Sequence, residues 1–251
     1  MKNISVVIIT KNNEEVIERC LESAKNFSEI ILVDEYSTDK TEEISKKFNT
    51  KIIKQKWLGF AKQKNLGIKN TRNDWVLSLD SDESLSKELL NEIKNLDPNN
   101  FDGFYLKRRT KFLGHYITHA GWYPDYQIRL FKKSKMMFED RDVHEKVLPN
   151  GNIGKLKNDI LHESYKNIEE YLEKFNKYTT LDAGSKRYKN YKISFKFYLL
   201  ILFKPIYKFL KMYLWQLGFL DGFIGYLLCK YSAYYEFSVL AKVYMDKKCK
   251  N

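Results

Sequence analysis

The chain has 251 residues, a formal net charge of +12, 43% hydrophobic residues and 15% aromatic residues, enough to build one large domain with an appendage and too much for a predominantly disordered protein. Its three cysteines, Cys20, Cys229 and Cys249, are odd in number and far apart, which excludes a disulfide framework and a zinc-ligand spacing and fits a reducing cytoplasm. The apolar run that follows Met1-Lys2-Asn3 is too short for a secretory h-region, so export is not expected.

Ile4-Ser-Val-Val-Ile-Ile-Thr10 is β-branched throughout, as in a central parallel strand buried on both faces. A polar loop, Lys11 to Glu14, leads into a helix over about Glu15 to Lys25, with Val16, Cys20, Leu21 and Ala24 at helical spacing. Ile30 to Val33 is a second strand ending in Asp34-Glu35, and Ser37, Thr38 or Asp39 caps a helix over Thr41 to Phe48. Lys51 to Lys54 is a third short strand, followed by a helix from Ala61 to Lys69. Trp75 to Leu79 is the fourth strand, and it stops at Asp80-Ser-Asp82-Glu83. A strand interior does not accept three carboxylates, so they belong at its exposed C-terminal edge.

This alternation predicts an α/β fold with a mostly parallel sheet and helices on both faces. Ligands bind such sheets at the C-terminal strand edges, where clustered hard oxygens suit a divalent cation and a phosphate-bearing substrate. Asp34, Asp80 and Asp82 are then expected to face one crevice. Each residue has a plainer alternative: Asp34 as a turn residue, Lys64 as a solvated helix position, and the acids as the cap of a helix starting near Ser84.

Four ordered stretches, Ser5 to Glu14, Val33 to Thr41, Gly59 to Asn65 and Leu79 to Glu83, resemble the signature of family 2 glycosyltransferases with the GT-A fold (Rossmann-like, mixed sheet, flanking helices). Within that family, Trp122-Tyr-Pro-Asp125, Ile128-Arg-Leu-Phe131, Val143-His-Glu145 and Asp221-Gly222 resemble the bacterial lipopolysaccharide-core β-glucosyltransferase group. The resemblance implies that Asp80-Ser-Asp82 is a DXD motif in which Asp80 and Asp82 hold Mg²⁺ or Mn²⁺ against the diphosphate of a nucleotide sugar. The divalent ion would neutralise charge developing on the departing diphosphate. It further implies that Asp34 hydrogen-bonds the nucleoside, that Thr10 lies in the loop cupping the base, and that Lys64 stands where the family usually has an Arg near the diphosphate. Lys is a point charge and cannot reproduce a bidentate fork. Glu83 is expected to cap the following helix, at a cost of ~1 kcal/mol if lost. Glu35 departs from the small residue or aspartate common at its position.

Asp102 to Arg109 and Tyr126 to Phe131 read as strands joined by an aromatic loop from Phe112 to Trp122. In and after that loop, Trp122, Tyr123 and Asp125 are candidate acceptor contacts, with core packing the alternative for the rings. An inverting transfer needs a base within hydrogen-bond reach of the acceptor hydroxyl. Glu145 is the candidate, standing where related enzymes place their catalytic acidic motif, with Asp142 and Asp140 as rivals. His162, after a short strand, is a further candidate metal ligand or a structural histidine.

From Ile168 onward the pattern is helical, so the expected division is a catalytic domain over 1–167 and a helical extension over 168–251. Between Ser185 and Asn251, thirteen Lys and Arg face three Asp and Glu, so +10 of the net charge lies in this stretch together with 18 of the 38 aromatic residues. Pro205 is expected to break or kink a helix over Phe195 to Leu220. At about 100° per residue, Lys192, Lys196, Lys204, Lys208 and Lys211 fall within one half-circle. No uncharged run reaches the roughly 18 residues of a spanning helix. The expected partner of the tail is an anionic membrane surface, because the resemblance implies a lipid-linked or lipopolysaccharide acceptor on the inner face of the cytoplasmic membrane. RNA binding and a homo-oligomer interface are the alternatives for the tail. For the whole chain, the alternatives are a nucleotidyltransferase and a non-catalytic membrane- or RNA-binding module. Lys11-Asn-Asn-Glu14 lacks the glycine that a nucleotidyltransferase phosphate loop would show there.

Overall fold

The computed structural model describes residues 3–139, 146–165, 167–185, 188 and 191–248. They form two compact units, one of Met1–Arg109 with Asp125–His162, the other of Thr110–Pro124 with Glu163–Asn251.

In the first unit β1 (Ile4–Thr10), α1 (Ile17–Ala24), β2 (Glu29–Asp34), α2 (Thr41–Lys46), β3 (Lys51–Lys54), α3 (Phe60–Lys69) and β4 (Trp75–Asp80) alternate as expected. They are followed by β5 (Glu83–Leu85), α4 (Lys87–Lys94), β6 (Gly103–Phe112), β8 (Asp125–Lys132) and β11 (Ile153–Tyr165). The end of β6 runs into the second unit, where β7 (His115–Tyr116) turns back on it. The main sheet runs β3-β2-β1-β4-β8-β6-β11-β5. β1 pairs in parallel with β2 and β4, and β2 with β3, whereas β8 joins β4 antiparallel. β9 (Phe138–Glu139) and β10 (Lys146–Val147) form a separate antiparallel pair.

Alternation along the central strands divides the core. Val6 and Ile8 pack on one face with α1 and α4 residues such as Leu21 and Leu89, while Val7 and Ile9 pack on the other with Ala61 and Ile68 of α3. That double burial is why β1 reads as an unbroken apolar run. The approach of α3 is close enough to require Gly67, since a Cβ there would lie 2.4 Å from Val7 Cγ1.

One expectation is corrected at the end of β4. The helix begins at Lys87, after a short strand, rather than at Ser84. Glu83 opens strand β5, which pairs antiparallel with β11, and the cap of α4 is Ser86, whose side chain accepts from Leu89 N. Glu83 is fully buried, and a buried carboxylate beside arginine has a better use than a helix end.

The second unit contains α5 (Ile168–Ala183), α6 (Phe195–Leu210) and α7 (Gly222–Lys248). The segment Thr110–Pro124, which the sequence assigns to the catalytic domain, belongs with these helices because Phe112, Ile117 and Ala120 share a core with Tyr171, Phe175 and Leu228. The chain passes through Pro205 without a break. Packing of Phe197, Leu200 and Ile201 with Val239, Leu240 and Val243 offsets the roughly 3 kcal/mol that an internal proline costs. The interruption comes later, as a π turn at Lys211–Trp215, closed by Gln216 N donating to Lys211 O at 2.9 Å, and a 3-10 turn at Gly218–Asp221. Asp221 is buried there, and its carboxylate accepts from Thr118 N, Thr118 Oγ1 and His119 N at 2.7 to 3.3 Å.

Candidate active site

Sheet register brings three of the predicted residues to one edge. Thr10 at the end of β1 is opposite Asp34 at the end of β2, and Ile9 is opposite Asp80 at the end of β4. The loops beyond β1 and β2 are laced together. Asn12 N donates to Ser37 Oγ at 2.9 Å, Thr38 N to Asn12 Oδ1 at 2.8 Å, Asn13 N to Thr41 Oγ1 at 2.8 Å, and Asn13 Nδ2 to Thr10 Oγ1 at 3.2 Å. Asp34 is fully buried and accepts from both Ser37 N and Ser37 Oγ, so it fixes the turn that bounds this edge. Glu35 pairs with Lys11 at 2.7 Å. The sequence singled out neither Asn12 nor Asn13 and offered Ser37 only as a helix cap, although asparagine and serine in short strand-end loops are the residues that bond to neighbouring backbone.

Asp80 sits between two cations. Lys64 Nζ is 2.8 Å from Asp80 Oδ1, and Arg129 NH2 is 2.9 Å from Asp80 Oδ2 and 3.0 Å from Glu83 Oε1. Glu83 Oε2 accepts from Asp80 N at 3.0 Å. Lys64 is 1% exposed and Arg129 4%, so Lys64 is no solvated helix position; its ammonium also lies 5.0 Å from the centroid of Phe138. Burial opposes ionisation of Asp80, but the adjacent Lys64 and Arg129 charges outweigh it and hold the carboxyl well below the ordinary range. The network continues through Arg108, 3.7 Å from Glu83 and 2.8 Å from Asp125, which also accepts from Gln127 Nε2. Arg129 and Arg108 were missed as site residues. The legible signal was a guanidinium inside the apolar run Ile128-Arg-Leu-Phe131, since an arginine in a buried strand must have an anionic partner.

These groups open on a cleft of about 440 Å³ lined by Lys64, Asp80, Arg108, Asp125, Arg129 and Lys146 together with Tyr105, Tyr126 and Phe138. Thr10, Asp34 and Asp82 are not among its lining residues. Asp82 stands in the turn after β4, its side chain 30% exposed, with Oδ2 3.3 Å from His162 Nε2. His162 lies within β11, opposite Glu83, rather than after a short strand. Beneath the acids, Cys20 Sγ is 3.6 Å from Asp80 O. Burial first, then Glu83, Asp82 and Asp80, push its thiol well up from the usual value, which leaves it an inert core residue.

Among the described residues no three His, Cys, Asp or Glu side chains form a ready-made metal cage. Hard oxygens on one or two carboxylates, with Asp82 accessible, nevertheless fit Mg²⁺ or Mn²⁺, which take much of their coordination from water and substrate phosphates. Of the candidate acceptor contacts, Trp122 packs edge-on to Phe112 at 5.9 Å and near Tyr165 at 6.4 Å, as a core ring would, and Asp125 is in the cleft. Glu145, Asp142 and Asp140 lie outside the described residues.

The family model for glycosyl transferase family 2 matches residues 5–149. The chain belongs to glycosyltransferase family 2. It is therefore a transferase enzyme, and the nucleotidyltransferase and non-catalytic readings are set aside. Similarity to other glycosyltransferases extends over nearly the whole chain. An uncharacterized glycosyltransferase from Rickettsia typhi is 32% identical over 97% of this chain and 87% of its own length. The lipopolysaccharide core biosynthesis glycosyltransferase LpsC from Rhizobium meliloti is 31% identical over 96% of this chain and 92% of its own. In fold, the chain is similar to the mannosyltransferase PcManGT from Pyrobaculum calidifontis, solved with GDP-Man and Mn²⁺. The TM-score is 0.55 at 14% identity, over 98% of this chain and 88% of that one.

Proposed function

We propose that this family 2 enzyme is an inverting hexosyltransferase that moves glucose from UDP-glucose to a lipopolysaccharide-core or related lipid-linked glycan, with Mg²⁺ or Mn²⁺ bound and at the inner face of the cytoplasmic membrane. The observation that carries the reading is the cluster at the end of β4, where Asp80 is clasped by buried Lys64 and Arg129 beside the more exposed Asp82. Likeness to LpsC over nearly its full length supports the acceptor class.

Asp34 and Thr10 bound the nucleoside side, held by the laced loops between β1 and β2. Lys64 and Arg129 fix Asp80 as an ionised, oriented carboxylate before the donor arrives, so it needs no reorganisation to take up an ion. Asp82, with Asp80, would hold the ion, and His162 keeps the Asp82 carboxylate oriented. When bound, that ion supplies charge neutralisation on the leaving diphosphate. Asp125, oriented by Arg108 and Gln127, is placed to accept a hydrogen bond from a sugar hydroxyl in the cleft. Glu145, or its neighbours Asp142 and Asp140, takes the proton from the attacking hydroxyl.

The test is UDP release from purified enzyme with UDP-glucose, Mn²⁺ and a lipopolysaccharide-core acceptor. Asp82→Ala should lose metal-dependent transfer while its circular dichroism stays native, and Glu145→Gln should lose turnover with donor affinity retained. Near-normal turnover of Glu145→Gln would move the base to Asp142 or Asp140. Acceptor-dependent release with another nucleotide sugar but none with UDP-glucose would refute the donor assignment.

A further inference from the structure

Helix α6 is built inside out for a water-facing helix. Its exposed stripe is Phe195, Leu199, Leu202, Ile206 and Leu210, exposed by 38 to 76%. At 3.6 residues per turn these five fall within an arc of about 80°. The opposite half of the wheel holds Phe197, Leu200 and Ile201, packed into the helical core, together with Lys204, which meets Glu236 at 2.7 Å and the Tyr188 hydroxyl at 3.4 Å, Lys208 and Lys211. Between the two sides stand Tyr198 and Tyr207, 50% and 59% exposed, one on each flank of the stripe. An amphipathic helix folded for water buries the apolar arc and exposes the lysines. In α6 the apolar arc is exposed, while Lys204 and Lys208 are half-buried and Lys211 is exposed.

The geometry points to an anionic bilayer as the occupant of this face, with α6 lying in the membrane plane and Trp215 entering beside it. The stripe is flanked by Tyr198 on one side and by Tyr207 and exposed Lys196 on the other, amphipathic and cationic residues of the kind that stand at a lipid interface. Trp215, 72% exposed, and Phe223, 70% exposed, flank the break that follows α6. That break bends the chain by 75°, and no single helix among the described residues is long and apolar enough to cross a membrane. Charge decides between lipid and a second copy of the chain. A second copy would set one +10 tail against another, whereas anionic headgroups neutralise it. This inference deepens the membrane placement proposed above and stands apart from the transfer chemistry.

The experiment is flotation of the full chain with vesicles of phosphatidylethanolamine and phosphatidylglycerol, against vesicles of phosphatidylcholine alone, with wild type, Leu202→Glu and Ile206→Glu. Wild type should float with the anionic vesicles and be weakened by salt, and each variant should lose about tenfold in affinity with unchanged circular dichroism and unchanged UDP release. Trp215 emission, isolated by subtracting the Trp215→Phe spectrum, should shift to the blue and be quenched by brominated lipid. Equal flotation of variants and wild type would overturn the proposal. So would a wild-type dimer in sedimentation velocity that the variants dissolve, or tail-dependent RNA binding without flotation. Loss of UDP release in wild type would count against the transferase reading and leave flotation unaffected.

Discussion

Removing the guanidinium of Arg129 tests the electrostatic logic of the site most directly. Arg129→Met keeps most of the side-chain volume in β8 but withdraws one cation from two carboxylates, at 2.9 Å from Asp80 and 3.0 Å from Glu83. The two losses are unequal. Asp80 keeps Lys64 at 2.8 Å and is 27% exposed, whereas Glu83 is fully buried and its Oε1 keeps only Arg108, at 3.7 Å. Glu83 therefore carries most of the penalty. Breaking a buried pair from one side costs about 3–5 kcal/mol, and the remaining Asp80 N and Arg108 contacts place the expectation near the lower figure. At ~2–4 °C per kcal/mol for a chain of this size, the thermal midpoint should fall by about 6–12 °C. Glu83→Gln alone should cost less, about 1–2 kcal/mol, because Arg129 retains Asp80. In the double variant the neutral amide no longer needs the guanidinium, so the midpoint should recover above that of Arg129→Met. Calorimetry of the four proteins at neutral pH measures this cycle. A loss under about 1 kcal/mol in Arg129→Met, or a double variant worse than the sum of the singles, would refute the reasoning.

Acid should act on the same cluster. The folded-state pKa of Asp80 is depressed, so its contribution is complete above its unfolded value of ~3.9 and is lost as pH falls further, and Asp80→Asn should flatten the stability profile below about pH 4. Gly67→Ala would put a methyl 2.4 Å from Val7 Cγ1 and should cost about 1–3 kcal/mol in denaturant titration through overpacking. Asp221 is another carboxyl with a lowered pKa. Burial opposes its ionisation, but hydrogen bonds from Thr118 and His119 outweigh that. Asp221→Ala should cost about 2 kcal/mol and speed amide exchange at Thr118 and His119, whose N–H groups would lose their acceptor.

The parallel half of the sheet was legible because β1, β2 and β4 are buried on both faces and so read as mostly apolar runs, β2 and β4 each stopping at an aspartate. The antiparallel half was less so. β5 is a three-residue strand, Glu83-Ser-Leu85, with no periodicity of its own. Its existence depends on pairing with β11, which lies about seventy-five residues away in sequence, and local pattern cannot report a long-range ladder. The same non-locality hid the role of Glu83. Next to a helix it looks like a cap, and only the sheet brings Arg129 from β8 to its carboxylate. Pro205 misled for the converse reason, since local chemistry predicts a break that tertiary packing on α7 overrides.

The charge balance at the end of β4 bears on how the site handles its donor. Within the connected network, the carboxylates of Asp80, Glu83 and Asp125 face the cations of Lys64, Arg108 and Arg129, so the cluster is neutral before any substrate arrives. Its cations are already committed, and Asp82 adds a further negative charge beside it. A nucleoside diphosphate entering this edge would bring negative charge that no uncommitted cation of the cluster cancels. In a partly buried site such an imbalance is costly. A divalent ion held by Asp82 and Asp80 would offset two of those negative charges without breaking the Lys64 and Arg129 pairs that keep Asp80 ionised. A lysine at position 64 is consistent with this arrangement. A fork would have engaged both oxygens of one partner, while a single ammonium grips Asp80 Oδ1 and leaves Oδ2 to Arg129.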